Sequence, residues 1–463
     1  MMHDRYGQAV TTDSPDMLAG LNAFMDEFLG NEATAGRILQ LATAHPDCAI
    51  ANAYAASLMM LMESPRGHAR AREYLANAQA NLASTTPREA LVIGATSAWV
   101  EGDIMKAVDL GETLAAEHPA ELISAKLCQT HHFNLGNAPG MLRVAERVAE
   151  AHPEDPHLHG MLAFGYEQCH LLSQAELAAR RALELKRKEP WAQHALAHVL
   201  LTQGRTDEGI EFLTGMTDTW DGLSSFMYTH NWWHLCLFLL DREAYGEVLR
   251  IYDAHLWGID KTYSQDQIGA VSMLLRLELH GVDVGERWQD VADYLADRIN
   301  DHVQPFLDLH YVYGLARAGR PAADELLLSV EQHAASAHPD LRDRWRDVAL
   351  PAARGLVAHA RGAYRDASRM LAPTIGEMAR IGGSHAQRDL FERVLLDAQI
   401  RCGELVPAQQ KLELMRRRDE RAPHVWRQLQ GVYEGLLLPR EAAEAGVQVA
   451  TLMAGDPKKK TPP

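Results

Sequence analysis

The chain has 463 residues, of which 47% are hydrophobic and 23% charged. That balance supports a large buried core and excludes a disordered, collagenous or disulfide-stapled chain. Its 45 Lys and Arg stand against 62 Asp and Glu, a net charge of −17, which argues against nucleic acid as a partner, because phosphate binding needs clustered cations.

Residues 1–14 are polar, have no apolar h-region and read as a flexible N-terminus rather than a signal peptide. The five cysteines (Cys48, Cys128, Cys169, Cys236 and Cys402) show no metal or redox spacing, and their odd, sparse count fits a reducing compartment. The longest apolar runs, around Ala55–Met62 and Leu235–Leu240, fall well short of the roughly 20 residues that span a bilayer. A soluble, cytoplasmic protein with no membrane partner is expected.

From residue 15 to 455 apolar residues recur at i, i+3 and i+4, with no convincing period-two stretch, so the expected fold is all-α. Leu114–Pro119 and Val148–Pro153 carry nearly the same six residues thirty-four positions apart. Gly102, Gly136 and Gly204 share one phase of this period, with His170 in the remaining slot; Ala107, Ala175 and Gly209 share another. Thirty-four residues is the period of the tetratricopeptide helix–turn–helix unit. Units starting at 88, 122, 156 and 190 predict a right-handed tetratricopeptide-type α-solenoid, clearest over 88–223, site-bearing over 156–320 and degenerate over 321–455. Small residues let the two helices of a unit approach, aromatic residues fill the gap to the next unit, and stacking buries faces that one hairpin leaves open.

Local punctuation agrees. Thr86, Pro87 and Glu89 read as an N-cap, a proline at N1 and a capping-box acid. His45, His118, His152 and His338 each precede a proline and read as structural residues at helix ends. Leu41–Pro46 suggests an earlier unit, and Gly362–Ala367 and Gly403–Ala408 later ones. Residues 456–463, basic and proline-rich, read as a disordered tail.

The stretch 190–319 differs. It holds His194 and His198, His230 and His234, His255, Asp308 and His310. A spacing of four places both imidazoles of a pair on one helix face, one turn apart. In the repeat phase that face looks into the concave groove, as do Glu167 and Trp233. Neighbours in a helix diverge by about 100°, so at most one of Trp232 and Trp233 faces the groove. Asp308 and His310 close the ring if the superhelix curves enough. Three meanings stay open: hydrogen-bonded core histidines, a divalent metal held by His194, His198, His230 and His234, and a metal-free acid–base or anion pocket. No P-loop, dinucleotide fingerprint, nucleophile elbow or H-E-x-x-H helix occurs.

The residues Gly160–Glu167, Trp191–Leu200, the H-N-W-W-H run at His230–His234, Ile251–His255, Leu275–Leu277 with Gly285–Trp288, and Asp308–His310 resemble, in this order, the tetratricopeptide repeat protein 38 family and its bacterial relatives. The resemblance runs from about residue 86 to 319. It implies a single closed-up superhelix, places His194, His198, His230, Trp233, His234, Asp308 and His310 in a family pattern, and supplies no activity. Cys236 and Leu240 depart from the small or polar residues expected there.

Two functions follow. The concave face is expected to form a His-rich pocket for a small molecule or peptide, with His194, His230, Trp233 and His310 binding the ligand. Alternatively the protein is an enzyme in which His198 or His234 is the base and Glu167 or Asp308 the acid or orienting group, with or without a metal. Apolar faces on the end units leave room for a homodimer.

Overall fold

Helix starts in the computed structural model, which describes residues 1–454, follow the local signals. The expected tail, 456–463, lies outside the described residues. Thr86 and Glu89 form a reciprocal capping box at the head of helix Pro87–Val100. Asp155 and Glu189 cap helices Pro156–Gln168 and Pro190–Thr202, each with its proline in the first turn, where a missing N–H costs nothing. With helix Leu122–Asn134, these coincide to within a residue with the starts at 88, 122, 156 and 190.

Each of these A helices is followed by a B helix: Ile104–Glu117, Ala138–Val148, Leu172–Leu185 and Thr206–Thr214. The pattern extends through A helices Ser225–Asp241, Ser264–Leu279, Pro305–Arg317, Leu350–Ala360, His385–Cys402 and Pro423–Gly435. The protein is an all-α solenoid of tetratricopeptide-type hairpins. Beyond residue 190 the A-helix starts at 190, 225, 264 and 305 are 35, 39 and 41 residues apart. A 3-10 turn at Thr217–Thr219, a π turn at Tyr252–Leu256 and a second 3-10 turn at Ala296–Arg298 lie in the longer intervals, which is why the period fades after residue 223.

The shared phase of Gly102, Gly136, His170 and Gly204 has a backbone cause. All four take the left-handed conformation between helices A and B, with φ of 86°, 69°, 58° and 67°. Gly204 has a second reason to lack a side chain: a Cβ there would overlap the Arg418 carbonyl. The small residue at Gly209 likewise admits the ring of Phe238 from the next A helix.

Residues 1–14, expected to be flexible, instead carry a short antiparallel hairpin, Met2–His3 with Ala9–Val10. Val10 is buried, the Arg88 guanidinium donates to the Ala9 carbonyl at 3.0 Å, and the Tyr6 hydroxyl donates to Asp155 at 3.1 Å. The partners come from the first turns of two A helices, which the local composition of the segment does not reveal.

The superhelix closes on itself. Glu32 bridges Leu223, and Lys188 pairs with Glu32 at 3.0 Å. Glu63 accepts hydrogen bonds from Ser264, Gln265 and Gln304 at 2.7, 2.6 and 3.0 Å. At the other end, Thr206 and Arg242 both bond Asp419, at 2.7 and 2.8 Å, and helix His385–Cys402 docks on Arg276, which donates to the Ala386 carbonyl at 2.8 Å. Among the described residues no helix is long and apolar enough to cross a membrane.

Gly204→Ala tests the docking of the C-terminal units. A left-handed backbone alone costs an alanine about 1 kcal/mol, the loss expected for Gly102→Ala, where an added Cβ meets nothing. Overlap with the Arg418 carbonyl should at least double that for Gly204→Ala, measured by urea unfolding of the two variants side by side.

Candidate metal centre

Two consecutive A helices build the site. Pro190–Thr202 carries His194 and His198; Ser225–Asp241, capped by Ser224, carries His230 and His234. The helices pack side by side, so the two i, i+4 pairs face each other. All four imidazoles turn Nε2 inward: His198 to His194 is 3.0 Å, His194 to His230 is 3.1 Å, and His230 to His234 is 3.2 Å. One ligand atom from each lies within 4.8 Å of every other.

These separations carry chemical meaning. At metal–nitrogen distances of about 2.0–2.1 Å, neighbouring nitrogens are about 2.9 Å apart in a square plane and about 3.3 Å apart in a tetrahedron. The observed edges fall between the two. Without a cation, adjacent Nε2 atoms must alternate between N–H donor and lone pair, which four converging atoms satisfy only through bifurcated bonds. A single cation takes all four lone pairs.

The surroundings keep His194, His230 and His234 neutral. None is more than 8% exposed. Phe164 and Trp191 pack on His194, Phe226 packs on His230, and Trp233 stacks on His230 at 5.3 Å and 7°. Burial, followed by the mutual repulsion of the rings, holds His194 and His234 well below the ordinary histidine value, and burial and His198 push His230 down to about 3. Neutral imidazole is the metal-binding form. Glu167, fully buried on helix Pro156–Gln168, lies 3.5 Å from His198 Nδ1. Burial raises its pKa, but His198, His385 and Gln168 together outweigh burial and the net shift is downward. A carboxylate 3.5 Å away, with no hydrogen bond formed, is placed to favour the His198 proton on Nδ1 and leave Nε2 free, as carboxylates orient ligand histidines.

The other expected residues separate. Trp232 turns away and stacks on His255 at 4.1 Å, and His255 bonds the Tyr228 hydroxyl at 2.7 Å. Asp308 and His310 do not close the ring. Asp308 bonds His302 Nδ1 at 2.6 Å, and His310 Nδ1 donates to the Phe306 carbonyl at 2.8 Å between Phe306 and Phe391.

His302 Nε2 also meets Ser329 Oγ at 2.7 Å, so serine, histidine and aspartate lie in one hydrogen-bonded line. Ser329 sits inside helix Ala322–Ser336, where its own amide is spent on the helix and is not available to stabilise an oxyanion. The line ties a loop to a helix. Arg276 was missed by sequence reasoning: it is 3% exposed, with its guanidinium 5.6 Å from the Trp233 ring. The signal was there, a lone arginine inside the apolar run Val271–Leu277.

The repeat unit, the left-handed turn and the inward-facing A helices define a tetratricopeptide-type repeat protein with a four-histidine cluster. No known family profile matches the chain. Among solved structures it is similar to the human IFIT1 dimer with PPP-AAAA, at 14% identity over 98% of both chains and a TM-score of 0.39.

Burial of neutral histidines makes the fold sensitive to acid. In the unfolded chain they titrate near 6.5, so below that pH the unfolded state binds protons that the folded state refuses, and stability falls. For His230 the loss continues to about pH 3, and His131 behaves alike. Asp266 and Asp308, raised by burial to about 6, offset part of it. Urea unfolding between pH 7.5 and 5 should show a loss of up to about 1.4 kcal/mol per pH unit for each buried histidine, and replacing His194 and His234 together by Gln should flatten the slope.

Proposed function

We propose that the protein binds one divalent transition-metal ion through His194, His198, His230 and His234, and that the ion locks two repeat units of a ligand-binding solenoid. What carries this reading is the convergence of four buried Nε2 atoms on one point. Nitrogen-only ligands without thiolate suit zinc, copper or nickel rather than magnesium or calcium. Four ligands under an aromatic cover describe a closed site, the arrangement of a structural ion. The ion would join helices Pro190–Thr202 and Ser225–Asp241 and so set the curvature of the inner wall, on which a small molecule or peptide is recognised.

Kinship with the tetratricopeptide repeat protein 38 family belongs to the same proposal, with the ion supplying a physical reason for its H-N-W-W-H run. So do a cytoplasmic location, consistent with five free thiols, and a partner that is not nucleic acid, consistent with the net charge of −17. A homodimer through the end units remains part of the proposal.

Metal-assisted chemistry on a small molecule is favoured by one observation: Glu167 beside His198 makes a base–orienter pair. In that case His198 or His234 would serve as the base, and the remaining histidines would hold the ion that polarises the substrate. Asp308, bonded to His302, takes no part in it.

Elemental analysis of the purified protein should find about one equivalent of a first-row divalent metal. His234→Ala should lose it, and Glu167→Gln should weaken binding about 10–100-fold. Metal-depleted protein that takes up neither zinc, copper nor nickel would refute the site. Cobalt-substituted protein separates the two roles: a closed structural site keeps its visible spectrum when azide is added, whereas an open catalytic site changes it.

A further inference from the structure

Leu201 and Thr202 lie one helical turn beyond His198, and Leu237 one turn beyond His234. There the inner faces of the two metal-bearing helices, with Ser264–Leu279, His385–Cys402 and Leu405–Arg418, enclose a cavity of about 260 Å³. Its wall is charged. Arg276, Arg393, Lys411 and Arg418 face Asp241, Asp389 and Glu392 across it, an excess of one positive charge inside a protein whose net charge is −17.

The pairing leaves that excess in a definite place. Lys411 pairs with Glu392. Asp389 is shared by Arg393 at 2.5 Å and Arg276 at 3.2 Å, so one carboxylate answers two guanidiniums. Arg418 has no ion-pair partner among the described residues. Asp241 has only the His424 ring, at 3.9 Å. We propose that the cavity is a binding site for a small anionic molecule, whose carboxylate or phosphate group is held between Arg276, Arg393 and Arg418.

Arg276 shows how the site is built. Its guanidinium is buried, fixed by the Ala386 carbonyl and Asp389, and set over Trp233, while Nε has no partner. Burial pulls its pKa down to about 10 despite Asp389, so the charge is present at neutral pH but under-compensated. An arginine held with an open edge and a rigid fork suits carboxylate or phosphate oxygens. Asp389 is driven the other way: burial raises it, but Arg393, Arg276 and Arg418 together hold it far below the usual carboxylate range. The lining therefore keeps an excess of one positive charge, with Arg418 outside any ion pair. A volume of about 260 Å³ admits a small anion such as phosphate, pyrophosphate or a dicarboxylate.

The cavity also requires closure of the superhelix. Asp389, Arg393, Lys411 and Arg418 come from the C-terminal units, and Arg276 and Asp241 from the middle. A ligand bridging them would pin helix His385–Cys402 against Ser264–Leu279 and tighten the ring.

Calorimetric titration at constant ionic strength, with inorganic phosphate, pyrophosphate and succinate as probes, tests this and separates phosphate from carboxylate. At least one probe should bind saturably at one equivalent and raise the melting temperature. Arg418→Gln should weaken that probe at least tenfold and Arg418→Lys less; Arg418 is half-exposed and unpaired, so both variants should fold. Absence of saturable binding by all three probes, or wild-type affinity in Arg418→Gln, would overturn the proposal. The same titration on metal-depleted protein keeps this outcome apart from that of the metal centre. Anion binding without any metal uptake would sink only the four-histidine reading, and metal uptake without anion binding would sink only this one.

Discussion

Four buried imidazole nitrogens, with neighbours at 3.0–3.2 Å, are a constraint as much as a site. Two adjacent helices must hold their register to within a fraction of a turn to keep them there. The aromatic rings of Phe164, Trp191 and Trp233 around the cluster serve that register by packing, and Glu167 serves it by orienting one ring. The burial that keeps His194, His230 and His234 from taking up protons makes the cluster a liability in acid.

The second organising feature is ring closure. Tetratricopeptide hairpins stack through neighbours alone and leave an open groove. Here residues far apart in sequence complete each other: Glu63 with Ser264 and Gln304, Arg276 with Ala386 and Asp389, Asp419 with Thr206 and Arg242. Residues from units far apart in the chain thus share the lining of the central cavity. Buried charges in such spaces need partners, and those of the central cavity are shared unevenly. The histidine cluster and the cavity meet at Trp233, whose ring stacks on His230 while Arg276 lies over it.

Much of this was legible in the residues. The helix heads at Pro87, Pro156 and Pro190 follow from capping and proline geometry. The turn positions at Gly102, Gly136 and Gly204 follow from the need for a left-handed residue. The pairing of His194 with His198 and of His230 with His234 on one face follows from 3.6 residues per turn. Each rests on interactions within a few residues, and the chain itself writes those.

Only the tertiary structure decided which faces meet. It put Asp308 on His302 and His310 between two phenylalanines. It pinned the N-terminal hairpin on Arg88, and it brought Arg393, Lys411 and Arg418 to Arg276 by folding the last units back into the hollow. Periodicity determines the face of a helix on which a side chain stands. The identity of the surface opposite depends on curvature summed over many small inter-unit rotations, and no local stretch of sequence encodes that sum.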